Sequence, residues 1–294
     1  ELGGGSIPTP RPSHKGKARL AEPLFTFVQI SDVHVGNEVN CPIHQRLQAA
    51  VRLANGLEPA FVIDTGDIAT HPVYDASVGN LAEFEEYKRY VALLKMPLYV
   101  VPGNHDIGYA DPGESTWGKG NLWGRYEDLV AAFEETIGPL DQSFSWRGFR
   151  LVLVNNNPAL SKGTGLLSSR QLHWLEGELE RGEVTFIFCH VQLLEEGTGS
   201  PWGKAAQTLV GLCRQYGVPA VAYGHKHEIH ISPMKGTQYI MAPDLKVPDH
   251  QGILQYRIFS DRFILWLYDV FTGEGEQLGV FPYPPRVATQ LADG

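Results

Sequence analysis

Cysteine is scarce: Cys41, Cys189 and Cys213 are the only three in 294 residues. An odd number with no Cys-x-x-Cys spacing argues against a disulfide framework and gives a thiolate zinc site no support. Long apolar runs are absent too. Spanning a bilayer takes about 18 or more consecutive apolar residues, and no stretch meets that, so no segment reads as a membrane span. Positive charge is in deficit, with 24 Lys and Arg against 33 Asp and Glu and a formal net charge of −9. That balance argues against a nucleic acid polymer bound through the overall field. A small anionic substrate remains compatible, because bound metal ions reverse the sign locally.

What is present suits a globular chain. The hydrophobic share is 43%, enough for a full core, and the length fits one large α/β domain or two small ones. The first residue is Glu1, which leaves the expected compartment of a soluble chain open: cytoplasmic, or exported after removal of a leader. Residues 1–23, rich in Gly, Pro and basic side chains, read as a flexible lead-in. One domain is expected over 24–270, followed by a tail over 271–294 that contains PYPP and few packing signals.

From Leu24 strand and helix patterns alternate. LFTFVQIS (24–31), AFVIDTG (60–66) and LYVVPG (98–103) are apolar runs that stop at turn residues. Between them, Ile43, Leu47, Ala50, Val51 and Ala54 share one helical face up to Gly56, and Leu81, Phe84, Val91 and Leu94 share another. This βαβαβ order predicts a parallel sheet covered by helices. FRLVLVNN (149–156) and VTFIFCHV (184–191) are further strands, separated by a helix over 168–182 with Leu172, Leu175 and Leu179 in register. The strands at 220–224, 228–232, 238–242, 253–259 and 262–270 follow so closely that an antiparallel meander is expected.

Polar residues gather where these strands end. The first runs into Asp32-Val33-His34, the second into Gly66-Asp67, and the third into Gly103-Asn104-His105-Asp106. The strand at 184–191 reaches His190, and the strand at 220–224 reaches Gly224-His225-Lys226-His227. Asn104 and Asp106 alone would read as turn residues, since both side chains bond their own backbone; the His between them would not. In an open parallel sheet the carboxyl ends of the strands line one crevice, where ligands bind. Along extended chain, residues i and i+2 face one side, so Asp32 with His34, and His225 with His227, can share a centre. Unpaired Asp and His clustered in a cleft would be costly without a cation. Oxygen and imidazole donors suit manganese, iron, zinc or nickel. Seven donors exceed one tetrahedral zinc site and suit two ions about 3.5–4 Å apart that share a carboxylate.

The ordered set D-x-H, G-D, G-N-H-D, a lone His after an apolar strand, and G-H-x-H, spread over residues 24–232, resembles the calcineurin-like metallophosphoesterase superfamily. The resemblance implies a four-layer α/β-β/α sandwich. It implies Asp32, His34 and His227 on a first ion, Asp67 as the bridge, and Asn104, His190 and His225 on a second, the ions being two of manganese, iron or zinc. It implies His105 at the phosphoryl oxygen or the leaving group, with Asp106 orienting it. Attack of a metal-bridging hydroxide on phosphorus follows. The expected substrate is a small phosphate ester, preferably a diester such as a cyclic nucleotide or nucleotide-like diester. A phosphomonoesterase and a catalytically silent metal-binding member are the alternatives. The cyclic-nucleotide phosphodiesterase-like and purple-acid-phosphatase-like branches are the most similar.

Two positions depart from the pattern. An acidic residue or Tyr commonly stands three positions after the bridging Asp; here it is Thr70, so no tyrosinate–iron colour is expected. The lone His is followed by VQLLEEG rather than a Pro-rich stretch. Elsewhere the simpler reading prevails. His71 and His230 read as structural, Lys226 as turned away from its neighbours, and Cys189 as core. Asp64 is balanced between a supporting and a structural role. Tyr109, Trp117 and Trp123, in a Gly-rich stretch, read as a packed surface loop rather than a base-stacking lid.

Overall fold

A computed structural model describes residues 22–36, 43–70, 80–108, 126–157, 167–195, 199–246 and 252–284. The three apolar runs of the first half form strands β1 (Phe25–Ile30), β2 (Val62–Asp64) and β3 (Leu98–Val100). Helices α1 (Ile43–Leu57) and α2 (Asn80–Val91) connect them. The four-residue α3 (Asn104–Ile107) and then α4 (Tyr126–Thr136) follow. Next come β4 (Gln142–Trp146), β5 (Phe149–Leu153), α5 (Ser169–Leu179), β6 (Val184–Phe188), α6 (Gly203–Tyr216) and β7 (Ala220–Tyr223). The chain continues through β8 (His230–Met234), β9 (Thr237–Met241), β10 (Gly252–Ile258), β11 (Arg262–Asp269) and β12 (Gly275–Pro282).

The strands make two six-stranded sheets, ordered β12-β11-β10-β1-β2-β3 and β4-β5-β6-β7-β9-β8. β1, β2 and β3 run parallel, and so do β5, β6 and β7. Helices α1, α2 and α4 pack on the outer face of the first sheet, where Leu47, Ala50, Phe84 and Phe133 share a core with Val28 and Val62. α5 and α6 pack on the second through Leu175, Leu179, Leu209 and Val210. Between the sheets lies an aromatic layer. Phe27 stacks on Tyr256 at 4.4 Å and on Phe61 at 5.2 Å, and meets Phe188 of the facing sheet edge-on at 5.8 Å. Each ring contributes roughly 1.5–3 kcal/mol by leaving water. The order helix–sheet–sheet–helix is the four-layer α/β-β/α sandwich.

The second half is not one meander. β7 pairs in parallel with β9, and β10 crosses to the first sheet, antiparallel to β1. Burial explains this: six of the seven residues of β10 are buried, which suits the centre of a sheet covered on both sides rather than a half-wet ribbon. The segment expected as a tail from residue 271 begins with β12, paired antiparallel to β11. β12 is mostly exposed, an edge strand whose Gly, Glu and Gln carry little strand signal. Among the described residues no helix is long and apolar enough to cross a membrane.

Candidate metal centre

Parallel strands in both sheets end on one side, and the residues just past those ends converge. The β1–β2 pairing continues beyond the strands: Asp32 N–H donates to the Gly66 carbonyl and His34 N–H to the Asp67 carbonyl, both at 2.9 Å. Gly103, after β3, lies against the Asp67 main chain so closely that a Cβ there would overlap it. Gly224, after β7, lies equally close to Ser31 and Asp32. These contacts put ligand-type side chains from residues nearly 200 apart in sequence into one buried cluster.

The donor atoms fall into two groups about one shared oxygen. His227 Nε2 is 3.4 Å from Asp32 Oδ1 and 3.3 Å from His34 Nε2. His190 Nε2 is 3.1 Å from Asn104 Oδ1 and 3.3 Å from His225 Nδ1. Asp67 Oδ2 stands between them, 3.6 Å from His34 Nε2 and 3.2 Å from His190 Nε2. Asp32–His34–His227 and Asp67–His190–His225 each form a triplet whose atoms lie within 4.8 Å of one another, and His34–Asp67–His105 forms a third. Asp32, His34 and His190 are fully buried.

The i, i+2 geometry on extended chain does not produce this arrangement. Asp32, His34, Asp67, His225 and His227 all have positive φ, between 48° and 78°. They are five of the eight such non-glycine residues among those described. A left-handed residue with a side chain costs roughly 1–2 kcal/mol, and such strain collects at functional sites. These five side chains turn inward because the backbone coils tightly past the strand ends, not because it stays extended.

Neighbouring groups fix each ring. His190 Nδ1 is 2.7 Å from the Thr65 carbonyl. A carbonyl only accepts, so Nδ1 keeps its proton, and Nε2 is the atom that turns a lone pair to the centre once its own proton is displaced. His227 Nδ1 is 3.6 Å from Asp244 Oδ2. Asp32 Oδ2 accepts the Ser31 hydroxyl at 2.5 Å, and both Asp32 oxygens accept the His225 N–H.

Asp106 accepts three main-chain N–H groups. Its Oδ2 accepts the N–H groups of Gly103 (2.7 Å) and Asp67 (2.9 Å), and its Oδ1 accepts that of Ala69 (2.9 Å). It ties the turn after β3 to the turn after β2. The Thr70 carbonyl lies 2.8 Å from His105 Nδ1. Position 70, where an acidic side chain is common, thus serves through its main chain, and Thr70 N–H is itself anchored at 2.7 Å by Glu83.

Electrostatics match a cation site. Burial holds His34 well below the usual imidazole value. Burial likewise brings His225 to about 3 and His227 to about 4. These rings keep free lone pairs at neutral pH, the form that binds a metal. Burial lifts Asp32 to about 7 against the pull of His190. Burial alone would raise Asp67, yet His190 and His105 outweigh it and hold the carboxyl well below its ordinary range. Burial would likewise lower His190, but Asp67 carries it to about 9. Neutral imidazoles, an amide oxygen and a shared carboxylate converging in a buried pocket fit two metal ions.

Other residues fall as follows. Asp64 accepts the Tyr87 hydroxyl at 2.6 Å and the Gly66 N–H at 2.9 Å, a structural role. Lys226 and His230 are exposed, and Cys189 is buried in the core of the second sheet. His71, Tyr109, Trp117 and Trp123 lie outside the described residues. Sequence reasoning missed Ser31, Asp244 and the part played by the Thr70 main chain, and also the buried run Asn155-Asn156-Asn157 past β5. That run had a signal: three consecutive amides at the same sheet edge as the other blocks.

Comparison with known proteins bears on the family and on the fold. The sequence signature of the family described as calcineurin-like phosphoesterase matches residues 25–228. A probable glycerophosphodiester phosphodiesterase GpdQ from Arcobacter nitrofigilis is 28% identical over 255 residues, covering 78% of this chain and 81% of that protein. Among solved structures, a dimetal phosphatase from Danio rerio superposes with a TM-score of 0.61 at 16% identity, covering 90% of this chain and all of the other. The purple acid phosphatase PPD1 of yellow lupin superposes with a TM-score of 0.66 at 16% identity, covering 92% of this chain and 55% of that one.

Proposed function

This chain belongs to the calcineurin-like phosphoesterase family, and from that premise we propose that it hydrolyses phosphodiesters at a two-ion centre. The observation that carries the reading is the Asp67 carboxylate oxygen, placed between His34 Nε2 at 3.6 Å and His190 Nε2 at 3.2 Å. Asp32, His34 and His227 would hold one ion with Asp67; Asn104, His190 and His225 would hold the other with the same carboxylate. Manganese, iron and zinc suit this donor set. When bound, the ions supply Lewis-acid charge to the phosphoryl oxygens and acidify a water for in-line attack.

The chain's own groups do the rest. His105 sits beside the cluster, its ring 4.8 Å from that of His34 between centroids. With Nδ1–H committed to the Thr70 carbonyl, Nε2 is the atom that delivers a proton to the departing alkoxide. His105 N–H donates to Asp67 Oδ1 at 2.7 Å, so the bridging carboxylate and the proton donor are fixed to each other. Preference for a diester rests on the 28% identical relative named for that activity. A small phosphate diester is the substrate class.

The test compares bis-(p-nitrophenyl) phosphate with p-nitrophenyl phosphate on metal-stripped protein with Mn²⁺ restored. Metal-dependent cleavage, faster for the diester, is expected. Faster monoester cleavage replaces this reading with a phosphomonoesterase. Two bound ions without cleavage of either ester point to the silent alternative.

A further inference from the structure

The two ion positions are held by different parts of the fold. Around the first, Ser31 and the His225 N–H fix Asp32, and Asp244 stands at His227. The segment carrying Asp244 is tied to α1 by the buried Arg46, whose Nη1 donates to the carbonyls of Leu245 (2.6 Å) and Lys246 (2.7 Å). None of these groups belongs to β5.

The second position leans on the end of β5. The ladder between β5 and β6 finishes with Val154 N–H donating to the Phe188 carbonyl at 2.9 Å. Beyond that point a side chain takes over the pairing. Asn156 Oδ1 accepts the N–H of His190 (3.2 Å) and of Val191 (3.0 Å), and its Nδ2 donates to the Val191 carbonyl at 2.7 Å. A carboxamide carries the same donor and acceptor as a peptide group, so Asn156 extends the ladder under a metal ligand. Next to it, Asn157 Nδ2 donates to the Pro102 carbonyl at 2.6 Å, one residue before the Gly103-Asn104 turn. Both side chains are fully buried. Two adjacent amides thus fix the main chain at His190 and just ahead of Asn104, whose donor atoms end 3.1 Å apart.

We propose that Asn156, supported by Asn157, is a positioning residue that sets the affinity of the second ion independently of the first; this rests on the two-ion reading above. Losing a group that orients a metal ligand typically weakens binding 10–100-fold.

The experiment is a calorimetric Mn²⁺ titration of metal-stripped chain, with bound ion counted by elemental analysis after gel filtration. The wild type is expected to bind two ions. Asn156→Ala is expected to hold one ion at its original affinity while the other weakens by roughly 10–100-fold. Arg150→Ala, on the same strand, loses Glu178, Ser143 and Ser145 as partners without touching the site. It is expected to lower thermal stability and keep both ions, which separates positioning from general destabilisation. If Asn156→Ala does not fold, Asn156→Asp keeps the two accepted bonds and replaces the donor to the Val191 carbonyl with an oxygen that repels it, and selective weakening of one ion is expected there. Two unchanged affinities in the folded Asn156 variant, or equal weakening of both, overturn the inference while leaving the function intact. Fewer than two ions in the wild type overturn the two-ion reading itself, and this inference with it.

Discussion

Replacing Asp106 with asparagine separates two roles for that carboxylate. Its oxygens accept three main-chain N–H groups, from Gly103, Asp67 and Ala69, all within 2.9 Å. Asparagine is nearly the same shape but has one oxygen. Whichever way the amide turns, its NH₂ faces at least one N–H donor. The favourable orientation keeps the pair at Oδ2 and leaves the Ala69 N–H unmatched. A hydrogen bond to a charged acceptor contributes about 1.5–3 kcal/mol, and a buried donor left unpaired costs about 1–3 kcal/mol. Burial first, and repulsion from Asp67 second, push the Asp106 carboxyl well above its ordinary range; relief of both in the neutral amide offsets part of this, least so once ions neutralise Asp67. The Mn²⁺-loaded variant should therefore be destabilised by about 3 kcal/mol, which for a domain of this size lowers Tm by roughly 6–12 °C. Second-ion binding should weaken as well, because the turn carrying Asn104 is no longer tied to Asp67. Thermal unfolding followed by circular dichroism, with an ion count on the same sample, reads both. A variant with unchanged Tm and two tightly bound ions, yet with turnover as low as His105→Ala, would show that Asp106 serves the His105 ring after all.

Three further expectations follow from the same contacts. His105→Ala should keep both ions and lose about 10²–10⁴-fold in diester turnover, whereas Asp67→Ala should lose ions outright; equal ion content in the two variants would contradict the bridge. Gly224→Ala places a Cβ against Ser31 Oγ and Asp32 Oδ2, so the first ion should be the one that weakens, as read by Mn²⁺ titration. Ion affinity should rise with pH. Loading displaces the proton that Asp67 keeps on His190 up to about 9, and near neutrality also the one on Asp32, raised to about 7. Below those values each displaced proton adds up to about tenfold in affinity per pH unit, levelling above about 9. A flat profile in the same titration would refute the proton competition.

The ligand blocks were legible because polar residues after apolar strands have few reasons to be there, and six of the seven proposed ligands are Asp or His. What the letters do not encode is backbone. The left-handed residues Asp32 and His34 have no adjacent glycine to announce them, and Gly66 marks a turn without saying that Asp67 beside it is left-handed too. His105 Nδ1 meets the Thr70 carbonyl, a group every residue has and no letter announces. Asn156 hid for a related reason, since asparagine past a strand reads as a turn. In the fold, β10 carries an ordinary buried-strand pattern, and nothing local says that its partner is β1. β12 went unread because edge strands need little hydrophobicity.

The placement of β10 also bears on how the chain comes off the ribosome. β1 is complete at Ile30, but the strand that covers its outer edge begins at Gly252, roughly 220 residues later. At about 5–20 residues per second that edge waits roughly 10–45 s with the sequence FTFVQI unpaired. Exposed apolar edges recruit other strands, so nascent chains released early should self-associate through β1. His225 and His227 are also made late, so the proposed ligand set is complete only after about three quarters of the chain, and premature termination before β10 should leave insoluble fragments.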